Sequence, residues 1–252
     1  MKKAFCKKKI NIIIFVGCLF LFNSSCGLDV FKKIDSPDQI LNKPTAENTD
    51  YTNDYFEFYT NEKEEYEIEK IDGTSVYYKI YNNIDKLNNE VSSLTAIAND
   101  SENNYNAPYK LIDEDKFNYK QLKADGINSA TLIPYIGKDQ KVYIRLSDYL
   151  GMKEYSAQIK VDGLPLNREK GKTVPLRDIS TKSSFNFSGT DEYTKIPVAD
   201  DVDTSFSSSS QTNDVWYVAM FAVAIKIDTD YTPIYSNILY LGAVTIDKSK
   251  ID

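Results

Sequence analysis

Val215-Trp216-Tyr217-Val218-Ala219-Met220-Phe221-Ala222-Val223-Ala224-Ile225 is a run of eleven apolar residues near the C-terminus. As a helix it would rise only about 16 Å, far short of a bilayer core of ~30 Å. Its β-branched and aromatic content favours a strand. An unbroken apolar run is what a central strand needs when both of its faces are covered. Asp228–Pro233 reads as the turn that follows. Ile234–Ile246 reads as the returning antiparallel partner, with Ser236-Asn237 and Gly242 as points where the pairing can bulge. This long hairpin is expected at the centre of a sheet.

Upstream, Ser75–Tyr81 alternates as a strand, with Val76, Tyr78 and Ile80 on one face and Tyr77, Lys79 and Tyr81 on the other. Asp72-Gly73 supplies the turn before it. Asn82 or Asn83 then caps a helix over about 83–98, whose apolar stripe of Ile84, Leu87, Val91, Leu94 and Ala98 should pack on the protein's own sheet. A second short helix is expected at Asp115–Leu122. Further strands are expected at Tyr55–Tyr59, Ala130–Ile136, Lys141–Leu146, Tyr155–Val161, Val174–Ile179 and Ser184–Phe187, with a turn at Asp162-Gly163. Asp200–Asp214, rich in serine and aspartate, reads as a mobile loop.

The N-terminus carries a different kind of information. Five lysines (Lys2, Lys3, Lys7, Lys8, Lys9) precede an apolar stretch from Ile10 to Phe22, and Asn23-Ser24-Ser25-Cys26 follows. The order basic, apolar, small, cysteine is that of an export signal. Its ending resembles the signal of bacterial lipoproteins, of the looser kind found in spirochaetes, although Asn23 stands where leucine is usual. The resemblance implies lipid attachment at Cys26 after removal of residues 1–25. Phe15-Val16-Gly17-Cys18 is a second match, but it leaves a very short apolar core. Residues 26–53, polar and without periodicity, then read as a flexible tether, and 54–248 as one β-rich domain.

Composition narrows the chemistry. All three cysteines (Cys6, Cys18, Cys26) lie in or at the end of the leader, so the domain has no thiol pair for a disulfide or a thiolate metal cage. There is no histidine, which excludes Ser-His-Asp, Cys-His and histidine–zinc chemistry. Removing the five leader lysines takes the formal charge from −7 to −12, which argues against nucleic acid as a partner. No cofactor motif is present. Acidic clusters occur at Asp113-Glu114-Asp115, Asp200-Asp201-Val202-Asp203 and Asp228-Thr229-Asp230. The second is the best calcium candidate, but it lacks the glycine and distal glutamate of an EF-hand, and a solvated acidic loop is the simpler reading.

Val76–Tyr81 is similar to the third strand of a fibronectin type III-like sandwich, and Tyr217–Val223 with Tyr235–Ile238 to its last two strands. The resemblance implies a mainly β, antiparallel sandwich of the fibronectin type III or immunoglobulin kind, with 82–214 as a large insertion. Such domains serve mostly as spacers or binding modules. The expected function is therefore a non-catalytic binding or display module, lipid-anchored in the cell envelope or outer membrane or at the cell surface, with the membrane and a protein or host ligand as partners. The alternatives are an envelope assembly lipoprotein and, third, an enzyme using carboxylates or a Ser/Lys pair.

Overall fold

In the computed structural model, which describes residues 34–48, 50–62, 71–149, 155–210, 214–228 and 230–251, the chain is mainly β. Its first half contains Ile40–Asn42 (β1), Phe56–Tyr59 (β2), Gly73–Tyr81 (β3), the helices Ile84–Asn99 (α1) and Ala107–Ile112 (α2), Lys120–Gln121 (β4) and Lys123–Ala124 (β5). Ile133–Pro134 (β6), Lys141–Arg145 (β7), Gln158–Val161 (β8), Leu164–Pro165 (β9) and Pro175–Leu176 (β10) come next. Thr204–Ser205 (β11), Val215–Ile227 (β12), Pro233–Tyr235 (β13) and Leu239–Asp247 (β14) complete the order.

The apolar run is the middle of β12. It pairs antiparallel with β3 along nine residues on one side, from Tyr217↔Tyr81 to Ile225↔Gly73. On its other side it pairs with β14 and then β13. The outer edge of β3 is covered in turn by β6, β4 and the parallel β11. The sheet's centre is therefore the β3–β12 pair, and the expected central position of the β12–β14 hairpin is corrected. Register follows the side-chain period of two. Trp216, Val218, Met220 and Ala222 point into one core, and Ala219, Phe221 and Val223 into another.

The first core is shared with a second antiparallel sheet, ordered β1-β2-β7-β8-β9, which contributes Phe56, Phe58, Val142, Ile144 and Ile159. Its β8–β9 hairpin turns at Asp162-Gly163, both at positive φ, as a type I′ two-residue turn requires. The second core lies under α1 and α2. Leu87 and Leu94 are buried there, with Val91, Ile97 and Ala98 packed around them, and the Asn83 side chain accepts from Lys86 N at 2.9 Å to cap the helix. Two covered faces explain why every residue of β3 is buried, including Lys79.

Several expectations change. The stretch 82–214 is not a separable insertion, because β7, β8 and β9 build most of the second sheet. The second helix falls at 107–112, where Pro108 occupies its first turn. Residues 115–122 instead carry Asn118 at positive φ and then β4, whose pairing with β3 overrides the local helical pattern. The strands expected at 130–136, 174–179 and 184–187 are short, reduced to β6, β10 and a single bridge from Leu176 to Ser184. The returning strand is broken at Ser236, whose hydroxyl accepts from Ala224 N, and it bulges where Met220 faces Gly242 and Phe221 faces Tyr240.

Residues 34–48 and 50–53 are not a free tether. Ile34 is buried and β1 pairs with β2. Pro44 O accepts from Ala243 N at 3.0 Å, and Thr245 Oγ1 donates to Ala46 O. These contacts cap the exposed edge of β14, which would otherwise be an open template for pairing. Gly242 makes the close approach possible: a Cβ there would sit 2.4 Å from Pro44 O. Residues 26–33 lie outside the described residues, as does Cys26. Among the described residues no helix is long and apolar enough to cross a membrane.

Candidate functional site

The acidic segment 200–203 is not a solvated loop. Arg177, on the strand end following β10, donates to Asp203 Oδ1 and Oδ2 at 2.7 and 2.9 Å and to Asp201 Oδ2 at 2.8 Å. Tyr78 OH donates to Asp203 Oδ2 at 2.6 Å and accepts from Asp178 N, while Lys195 Nζ reaches Asp201 Oδ1 at 2.6 Å. Arg177 and Asp203 side chains are wholly buried. Burial works against the Arg177 charge, but hydrogen bonds and charge from Asp203 and Asp201 outweigh it and hold its pKa above the ordinary value. Burial first, then the neighbouring Asp203, pushes the Tyr78 phenol well up, so it stays a donor. The planar guanidinium thus consumes the oxygens a calcium ion would need, and the candidate at 200–203 is corrected to an internal ion cluster. It fastens β11 alongside β3. Among the described residues no group of three or more acidic, cysteine or histidine side chains is placed to hold a metal.

The other acidic clusters are also absorbed locally. Asp113 Oδ1 accepts from Asp115 N, and Glu114 pairs with Lys120 at 3.1 Å. Asp230 Oδ1 accepts from Thr232 N within the β12–β13 turn. A second ion cluster sits under α1, where Lys79 Nζ donates to Glu90 Oε2 at 2.8 Å and to Phe117 O at 2.6 Å. Tyr81 OH donates to the same Glu90 oxygen at 2.8 Å and also bonds Tyr119 OH. Desolvation lowers the Lys79 pKa, and Glu90 works against that fall.

At the margin of the second sheet, Arg145 donates to Tyr51 O, Thr52 O and Tyr143 OH, enclosed by the rings of Tyr55, Tyr149 and Tyr155 at 5.1–5.9 Å. Beside it, Asp54 is buried, accepts from Tyr149 OH at 3.0 Å, and has a second carboxylate oxygen with no partner. Burial raises its pKa to about 6.

A concavity lies apart from these clusters. A cavity of about 240 Å³ lies between residues 43–47 and the first turns of α1, with Ile84, Leu87, Ala243 and Tyr240 as its apolar lining. Lys43 Nζ stands 4.5 Å over the Tyr240 ring, and burial lowers its pKa. An apolar floor with one cation and the polar Asn88 and Glu47 beside it can hold a small amphipathic group. Sequence reasoning missed this site because Lys43 and Pro44 were assigned to the tether. The one available signal was Gly242, whose flagged irregularity is where the segment closes on the sheet.

No family model, curated protein or solved structure matches the chain.

Proposed function

We propose that this chain is an exported lipoprotein, anchored through Cys26 in the cell envelope or at the cell surface, whose folded domain acts as a non-catalytic binding or display module. The observation that carries the reading is the leader: five lysines, a thirteen-residue largely apolar stretch and Asn23-Ser24-Ser25-Cys26. The domain's organisation is in keeping with it. The Arg177 and Lys79 ion clusters are spent on internal contacts, and the cavity beside Lys43 offers an apolar lining with one cation.

The finer fold reading belongs to the same proposal. In a fibronectin- or immunoglobulin-like sandwich the third strand lies beside the last two, and the first, second and fifth form the facing sheet. The neighbouring order β14-β12-β3 supports that reading, with the helices added to the outer face. The facing order β1-β2-β7-β8 departs from it beyond β2, because β8 follows β7 in the chain where the family's fourth strand precedes its fifth.

Metabolic labelling with a clickable palmitate analogue, followed by protease shaving of intact cells, tests the assignment. Label on the wild type, its loss in Cys26→Ala, and cleavage from outside are the expected results. Label with protection until the envelope is opened would favour the second reading, an assembly lipoprotein facing the periplasm. Label retained by Cys26→Ala would sink the anchor assignment.

A further inference from the structure

The chain joins the folded domain at one end of both sheets, and that end carries four of the ten exposed large apolar side chains among the described residues. Asn61 donates to Ser36 O at 2.9 Å, next to the buried Ile34, and Glu62 accepts from Ile136 N at 3.0 Å. Asp72 O accepts from Tyr135 N, and the Asp72 side chain accepts from Ile227 N, which leads to the β12–β13 turn and Tyr231. In the other direction Lys138 pairs with Asp162, beside Leu164 at the β8–β9 turn. Ile136, Leu164, Ile227 and Tyr231 therefore lie along the same end. They are 54, 48, 38 and 88% exposed. Nothing within the described residues covers them.

Chain length says what could. From Cys26 to Ile34 there are eight residues, which fully extended reach at most about 28 Å. A domain of this size has a radius of gyration of roughly 17 Å, so the tether is shorter than the domain is wide. The anchored end must stay close to the lipid, and protruding aliphatic side chains with a tyrosine are the chemistry of a membrane–water boundary. We infer that this end of the domain, through Ile136, Leu164, Ile227 and Tyr231, rests on the headgroup layer of the membrane that holds the lipid anchor. The inference rests on the anchor reading above. The flanking groups Asp139, Asp162, Asp230 and Lys138 are net acidic, so the contact is apolar and suits zwitterionic lipid, since anionic lipid would repel it. It also assigns the Lys43 cavity, on the flank of the domain, to the aqueous side.

The test uses the mature lipidated chain, residues 26–252, reconstituted in phosphatidylcholine vesicles, with a nitrobenzoxadiazole label on Ile136→Cys, Tyr231→Cys or, at a distant exposed position, Val202→Cys. Headgroup spin-labelled lipid should quench positions 136 and 231 at least twofold more than 202. Equal quenching at all three, or none, in protein that still floats with the vesicles overturns the inference and leaves the anchor intact. Failure to float overturns the anchor reading and this inference with it.

Discussion

On the inner face of β3, Tyr78 meets Asp203 and Arg177 in a cluster sealed from water; on the outer face, Lys79 and Tyr81 meet Glu90 under α1, where the two charged side chains keep 10 and 20% of their exposure. Both clusters bring a tyrosine of the same strand to a carboxylate. They differ in the cation. Arg177 presents a rigid fork that satisfies two carboxylates at once, which suits full burial. Lys79 is a compact charge on a flexible stem, and its cluster lies under a helix that can let water in. The chain has 27 lysines and three arginines, and two of those arginines, Arg145 and Arg177, are buried. Among the described residues, the cations whose side chains are hidden completely are arginines.

That contrast can be broken from its strong side first. Arg177→Met leaves Asp203 buried without its partner, and the expected loss is about 3–5 kcal/mol in urea unfolding. A loss under about 1 kcal/mol would mean that the cluster opens to solvent. Leu94→Ala, which empties the core under α1 without touching either charge cluster, should cost about 2–4 kcal/mol by the same measurement. Glu90→Gln should cost less, about 1–2 kcal/mol, because Lys79 can turn toward water. If it equals Arg177→Met, the two faces are electrostatically alike and the distinction fails.

Gly242→Ala tests the edge rather than the faces. At φ +117° and with Pro44 O in the way, alanine is strained, and a loss of about 1–2 kcal/mol is expected. Its signature should be earlier proteolysis within residues 43–48. The smallest readout concerns Asp54. Its folded pKa of about 6 lies above the ordinary 3.8, so its contribution to stability is complete below about pH 3.8 and is lost as pH rises through 6. Between pH 5 and 7.5 the wild type should therefore lose more thermal stability than Asp54→Asn. Identical pH profiles would place that carboxylate in contact with water.

Much of the framework was legible because it depends on local pattern. The eleven-residue run announced β12, the alternation at 75–81 announced β3 and its two faces, and Asn83 with the stripe from Ile84 to Ala98 announced α1. Where a segment's fate depends on partners far away in the chain, local pattern misled. Residues 115–122 look helical in isolation, yet Lys120 and Gln121 find ladder partners on β3. The run at 200–203 looks like a solvated acidic loop, and only Arg177, some two dozen residues upstream, turns it inward.

The candidate cavity was illegible for the same reason. Lys43 and Pro44 sit in a polar, aperiodic stretch, and their position is decided by a backbone bond to Ala243, about 200 residues downstream. The sequence by itself determined which segments must be covered on both sides, because an apolar strand or stripe has to leave water wherever it finds cover. Tertiary structure alone decided what does the covering: the second sheet on one face, the helices on the other, and the segment around Pro44 along the edge. Burial is non-directional and can be read from composition, whereas a hydrogen bond or ion pair needs a particular partner at a particular distance, and that only the fold supplies.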